Sequence, residues 1–338
     1  KMADDPYIKA ALKNTLIFTL GNIGSRMISF FLIPLYTNVL TTSQYGTVDL
    51  ITTISTVAGP MLTLNIAESV RRCGVDKDAD KEKNTQCGSI VLLIAMIIGL
   101  VLIPICRCIT EVSDYAMYVY FYVISLSASQ LFLCDLRGKE LLLKYSLGNI
   151  LQTLMIAILN ITFLLVFKME TGGYLLAYII ANFIVAIYAI IAGKGYKAFS
   201  FHNIDRCKLK EMIRYSVVLI PNTFMWWIMN SSDRVMVTYM IGAAANGIYA
   251  VSYKLPTLVS TLTGIFNQAW SYSAIREEGT SDETEYNNKM FKTLSAIAFM
   301  MGIGLLLLTK PFLGVYVADS YYDAWKYTPF LIIGCVYL

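Results

Sequence analysis

Three basic side chains stand where a membrane helix should carry none. Arg26 lies in TLGNIGSRMISFFLIPLYTN (19–38), Arg234 in NSSDRVMVTYM (230–240) and Lys254 in VSYKLPTLVS (251–260). A base at the centre of an isolated inserted helix costs about 3 kcal/mol, so three in contact with lipid would cost roughly 9 kcal/mol. They are therefore expected to face the interior of a helix bundle. Guanidinium forks match phosphate oxygens well, so the chemistry that Arg26, Arg234 and Lys254 could do together is to hold an anionic ligand. The competing assignment is a buried ion pair tying helices together. Asp233 is adjacent to Arg234, and helix neighbours do not face each other well, so such a pair would form across helices, to Asp49 or Asp233.

Polar residues recur around these bases at helical spacing. Asn22, Ser25 and Ser29 accompany Arg26, while Asp49, Thr53 and Thr56 stripe the next apolar run. Asn222, Trp226, Asn230 and Asp233 lead to Arg234. Lys254, Thr257, Thr261, Gly264 and Gln268 follow at steps of 3, 4, 3 and 4, which place them on one helix face. Any one stripe is explained by ordinary interhelical hydrogen bonding. Their concurrence on four segments that each also carry a proline (Pro34, Pro60, Pro221, Pro256) points to a central hydrated cavity. Asp49 and Asp233 are the candidates to carry a coupling H+ or Na+.

The elements that must position these residues are membrane helices. The 338 residues are 57% hydrophobic and 15% charged, well below the charge of a soluble domain. Apolar runs at 14–37, 48–68, 88–106, 115–134, 145–167, 173–193, 214–240, 247–271 and 290–310 are each long enough to cross a bilayer. A tenth begins near Tyr327 and has too few residues to span before Leu338, so the sequence is expected to be part of a longer chain. Of the 27 Lys and Arg, twenty fall on one side of these spans, four on the other and three within them. That asymmetry predicts a multi-pass protein of the inner cell membrane with a cytoplasmic N-terminus. The opposite loops (38–47, 107–114, 168–172, 241–246, 311–326) leave no room for an extracytoplasmic domain. Runs 88–106 and 290–310 are apolar almost all round and read as lipid-facing.

The sequence offers little to catalysis. His202 is the single histidine, in a loop, and there is no HExxH, nucleophile elbow or Walker A loop. Gly302-x-Gly304 lies within a span. DKDADKEK (76–83) begins like a calcium loop but has Lys81 where Gly is required and Cys87 where the bidentate Glu belongs. The seven cysteines form no CxxC pair and read as small buried hydrophobes. No catalytic residue, cofactor, metal site or nucleic-acid partner is expected. Most of the 23 Tyr and 4 Trp are assigned to interfacial belts, with Trp226, Trp227 and Trp270 as candidates to stack on sugars.

A repeat is visible in VLTTSQYGTVDL (39–50) and MIGAAANGIYAV (240–251), which place Gly46 and Gly247 alike. Ser25-Arg26 is echoed by Ser232-Asp233-Arg234, and prolines pair as Pro34/Pro221, Pro60/Pro256 and Pro104/Pro311 at offsets of 187, 196 and 207. The expected fold is an all-α polytopic membrane protein of two tandem six-helix lobes around a central cavity. Residues 1–205 form the first lobe, and 206–338 an incomplete second.

SRMISFFLIPLYTNVLTTSQYGTVDLI (25–51) and NSSDRVMVTYMIGAAANGIYAVSYKLP (230–256) resemble bacterial polysaccharide flippases of the multidrug/oligosaccharidyl-lipid/polysaccharide exporter superfamily. The resemblance runs along essentially the whole chain, with loose motifs. It implies translocation of a polyprenyl-pyrophosphate-linked oligosaccharide by alternating access, for cell-surface polysaccharide or lipopolysaccharide synthesis. Its partners would be that lipid-linked oligosaccharide, membrane lipid, H+ or Na+ and the glycan polymerase machinery. By position, Arg26 matches the first-helix arginine of such lumens and Lys254 the eighth-helix base, with Arg234 a looser match. The rivals are a cation-coupled multidrug exporter of the same superfamily, an integral-membrane glycan polymerase, for which the loops are too short, and a membrane scaffold.

Overall fold

The computed structural model describes residues 28–76, 80–107, 113–199, 205–264, 266 and 283–337. Arg26, Asn22, Ser25 and Gln268 lie outside them, as does Trp270. Among the described residues the chain is helical, without strands. The helices are α1 (Ile33–Val39), α2 (Thr42–Leu62), α3 (Ile66–Val75), α4 (Lys81–Cys106), α5 (Ala116–Gly138), α6 (Leu142–Ile161) and α7 (Glu170–Ala192). They continue as α8 (Arg206–Met240), α9 (Ala243–Ser252), α10 (256–264), α11 (Glu283–Tyr316) and α12 (Thr328–Tyr337). Five described helices are long and apolar enough to cross a membrane.

The predicted span 48–68 is in fact two helices. α2 starts on a capping box, with the Thr41 hydroxyl accepting from the Gln44 N–H and the Gln44 amide accepting from the Thr41 N–H. It ends just past Pro60, where Leu64 and Asn65 turn into the left-handed region (φ 51° and 54°), and α3 leaves at 60°. Proline removes a helix donor and obstructs the turn before it, yet here the bend falls after Pro60, at the left-handed Leu64 and Asn65. The predicted span 247–271 breaks likewise, at residues 253–255 ahead of Pro256. Span 214–240 extends to the 35-residue α8, whose first turn Asp205 caps by accepting from the Lys208 N–H at 3.0 Å.

Two apolar cores hold the assembly. One, of Ile66, Val70, Val91, Leu131, Phe132, Val185 and Met212, packs α3, α4, α5 and α7 against the start of α8. The other joins the two parts of the chain at the opposite end: Tyr36, Leu40, Tyr45, Leu50 and Ile51 pack with Val251, Leu255, Leu313 and Tyr321. Runs 88–106 and 290–310 do leave broad apolar faces uncovered, Ile97 and Val101 on α4 and Met300 and Leu307 on α11. The tyrosines depart from expectation. Tyr36, Tyr45, Tyr122 and Tyr174 are buried, not interfacial.

The repeat explains the closest helix contact. A Cβ at Gly46 would overlap the Ala243 carbonyl oxygen, and one at Gly247 the Thr42 carbonyl oxygen. Only glycine permits the backbones of α2 and α9 to approach so closely. The contact is reciprocal, since 247 − 46 and 243 − 42 both give 201. That register differs from the proline offsets and from the 208 separating Arg26 and Arg234. By it Arg234 corresponds to Ile33, so the Arg26–Arg234 echo is out of step with the packing by seven residues.

Candidate functional site

One turn along α2 from Gly46, Asp49 points at α8. Its carboxylate accepts from the Arg234 Nη1 at 3.0 Å, with both side chains largely buried. The other carboxylate oxygen lies 3.5 Å from the Asn246 amide nitrogen, which also donates to the Gly46 carbonyl at 2.9 Å. The guanidinium carbon sits 5.2 Å over the Tyr253 ring, a cation–π contact. Arg234 Nε is buried without a partner. The cross-helix pairing weighed from the sequence is therefore present, and Asp49 is the acid that makes it.

Asp233 is committed elsewhere. It accepts from the Arg234 backbone N–H at 2.9 Å and from the Tyr249 hydroxyl. Lys254 stands differently from both arginine and acids. It lines the same cavity as Asp49 and Arg234, yet among the described residues no carboxylate forms an ion pair with its ammonium. In the lining of this cavity two cations thus share one carboxylate, a surplus of positive charge at its wall, with Asp233 outside that lining. Such a charge is strongly stabilised by an incoming anion.

Two cavities meet at Lys254. One, of about 180 Å³, is walled by Tyr45, Asp49, Thr52, Tyr122, Tyr174, Tyr178 and Arg234. The other, of about 320 Å³, is lined by Ser29, Phe30, Ile33, Thr257, Leu258 and Thr261. Ser29, Thr257 and Thr261, expected to face a lumen, do share a cavity with Lys254. Thr53 is buried and Thr56 exposed, neither lining these cavities. On α8 the face turned to the first lobe carries Thr223, Trp227 and Arg234: Asn65 donates to Thr223 at 3.2 Å, and the Trp227 indole to the Thr53 carbonyl at 2.9 Å. Asn222, Trp226 and Asn230 lie on the adjoining, exposed stripe and do not reach the cluster.

The 3₁₀ segment Asp319–Lys326 packs against α9. Tyr321 donates to the Leu40 carbonyl at 3.0 Å, its phenol pushed up by burial and so held protonated. Tyr316 donates to the Phe30 carbonyl at 2.5 Å, and Ser252 to the Ala324 carbonyl at 3.1 Å. Sequence reasoning missed Asn246, Tyr253 and the tyrosine wall. Asn246 could have been found, since it adjoins the repeat glycine. No group of three or more His, Cys, Asp or Glu able to hold a metal occurs among the described residues.

Residues 11–275 match the sequence profile of a family described as "Polysaccharide biosynthesis protein". No curated protein sequence matches the chain significantly. Solved structures share its fold, among them the following three. An inward-facing multidrug resistance MATE family transporter of the MOP superfamily aligns with TM-score 0.63 at 12% identity, over 94% of this chain and 82% of that one. A mutant of the Vibrio cholerae MATE transporter VcmN gives 0.62 at 14%, over 97% and 79%. A MOP superfamily transporter from Pyrococcus furiosus, whose binding pocket is described as of reverse polarity, gives 0.54 at 14%, over 97% and 80%.

Proposed function

The chain belongs to the polysaccharide biosynthesis protein family, and from that premise we propose that it flips a polyprenyl-pyrophosphate-linked oligosaccharide across the inner cell membrane. It is a multi-pass membrane protein with the fold of MOP-superfamily transporters. Lys254 is the observation that carries the reading: a surplus cation at the junction of two cavities, with hydroxyls on one side and tyrosines on the other. The ammonium binds the pyrophosphate, Arg234 shares its charge, and Arg26, which precedes the described residues, adds a third base. Ser29, Thr257 and Thr261 offer hydroxyls to phosphate or sugar oxygens, while the polyprenyl tail stays in lipid. The excess of Lys and Arg in the loops on one side supports a cytoplasmic N-terminus. Translocation proceeds by alternating access between the lobes, driven by an ion gradient or by removal of product outside. The glycan polymerase machinery is the partner that would consume that product.

Export of organic cations is the second reading, favoured by the fold shared with multidrug MATE transporters. A cationic drug gains least where two bases outnumber one acid. The deciding experiment scores the leaflet in which lipid-linked oligosaccharide accumulates in cells lacking the gene, complemented by intact protein or by Arg26→Ala. Inner-leaflet accumulation rescued only by intact protein is expected. Normal outer-leaflet delivery without the gene would defeat the flippase reading and promote the exporter.

A further inference from the structure

Resting on that reading, we infer that Asp49 is a built-in stand-in for the ligand's anion: it occupies the arginine's binding fork until a pyrophosphate displaces it, and the displacement loosens the α2–α9 contact. The Asp49–Arg234 pair is the ion pair that crosses from the first lobe to the second among the described residues, at 3.0 Å. Asn246 holds the second carboxylate oxygen and the Gly46 carbonyl together, so the acid is tied to the glycine contact itself. Nearby Lys254 forms no ion pair with a carboxylate among the described residues.

Charge sets the threshold for displacement. A phosphodiester or carboxylate brings one negative charge, which only equals what Asp49 already supplies. A pyrophosphate brings more and can engage Arg234 and Lys254 together, so it wins where a monoanion does not. Arg234 Nε, buried and unpartnered, is a further donor that a multi-oxygen ligand can satisfy. Once displaced, Asp49 is a buried carboxylate without a cation, and separation of α2 from α9 relieves it by admitting water. Ligand charge thereby selects the substrate and opens the joint between lobes in one event.

The test uses the full-length protein in nanodiscs and polyprenyl pyrophosphate as probe, with a polyprenyl-phosphate sugar, a singly charged phosphodiester, as comparison. Asp49→Asn removes the competing charge while keeping shape, so it is expected to bind the pyrophosphate about tenfold more tightly and to narrow the pyrophosphate-over-phosphodiester preference. In the unmodified protein, saturating pyrophosphate is expected to speed hydrogen exchange across residues 243–252. Equal or weaker binding by a folded Asp49→Asn overturns the inference. So does unchanged exchange at 243–252 in the saturated unmodified protein, a result that needs no variant to fold. Absence of saturable pyrophosphate binding to the unmodified protein defeats the flippase reading itself and the inference with it.

Discussion

The molecule buries two acid–base clusters, and they are built to opposite specifications. Inside the first lobe, Asp135 pairs with Lys139 at 2.6 Å on successive turns of one helix. Thr85 donates to its other oxygen at 2.6 Å, and Lys139 also donates to the Gly193 carbonyl at 3.0 Å, capping α7 from outside. Charges balance, and both carboxylate oxygens and the ammonium have partners. Between the lobes, Asp49 faces two cations, Arg234 Nε and the Asn246 carbonyl oxygen lack partners, and cavities adjoin. A satisfied cluster rigidifies, whereas an unbalanced one beside open space retains binding capacity. The first reads as scaffold and the second as site.

Substitutions should separate the two. Asp135→Ala strands Lys139 inside the lobe, and breaking such a pair costs about 3–5 kcal/mol. The expected result is a collapse of thermal stability in detergent, with transport lost through folding. Gly46→Val forces α2 off α9, and overpacking of this kind costs about 1–3 kcal/mol. Its thermal midpoint should fall less than that of Asp135→Ala, and Gly247→Val should reproduce it, because the contact is reciprocal. Trp227→Phe deletes one hydrogen bond to the Thr53 carbonyl, about 1 kcal/mol. Lys254→Ala breaks no ion pair among the described residues and removes a buried like charge beside Arg234, so stability should not fall while pyrophosphate binding weakens about tenfold or more. A stability loss at Lys254 as large as at Asp135 would erase the distinction.

Much of this could be seen in the sequence because it rests on local chemistry. Hydrophobic runs and loop charges announce membrane helices, and the prolines mark both breaks, though the break at 63–65 falls three residues past Pro60. Gly46 and Gly247 were visible as a repeat because close backbone approach admits one residue type. What stayed hidden depends on rotation about a helix axis and on partners far along the chain. Trp226 and Trp227 are neighbours, yet only Trp227 reaches the first lobe. Asp49 could pair with several bases, and 185 residues separate it from Arg234. The buried tyrosines read from the sequence as part of an interfacial belt, because composition cannot tell a belt from a cavity wall.

The most direct measurement is flipping of a fluorescent polyprenyl-pyrophosphate sugar in proteoliposomes, scored by access of the label to an external quencher. Intact full-length protein should move it between leaflets, and Lys254→Ala, folded and inserted to the same level, should not. Equal rates for the two proteins would contradict the assignment of the interlobe cluster as the pyrophosphate site.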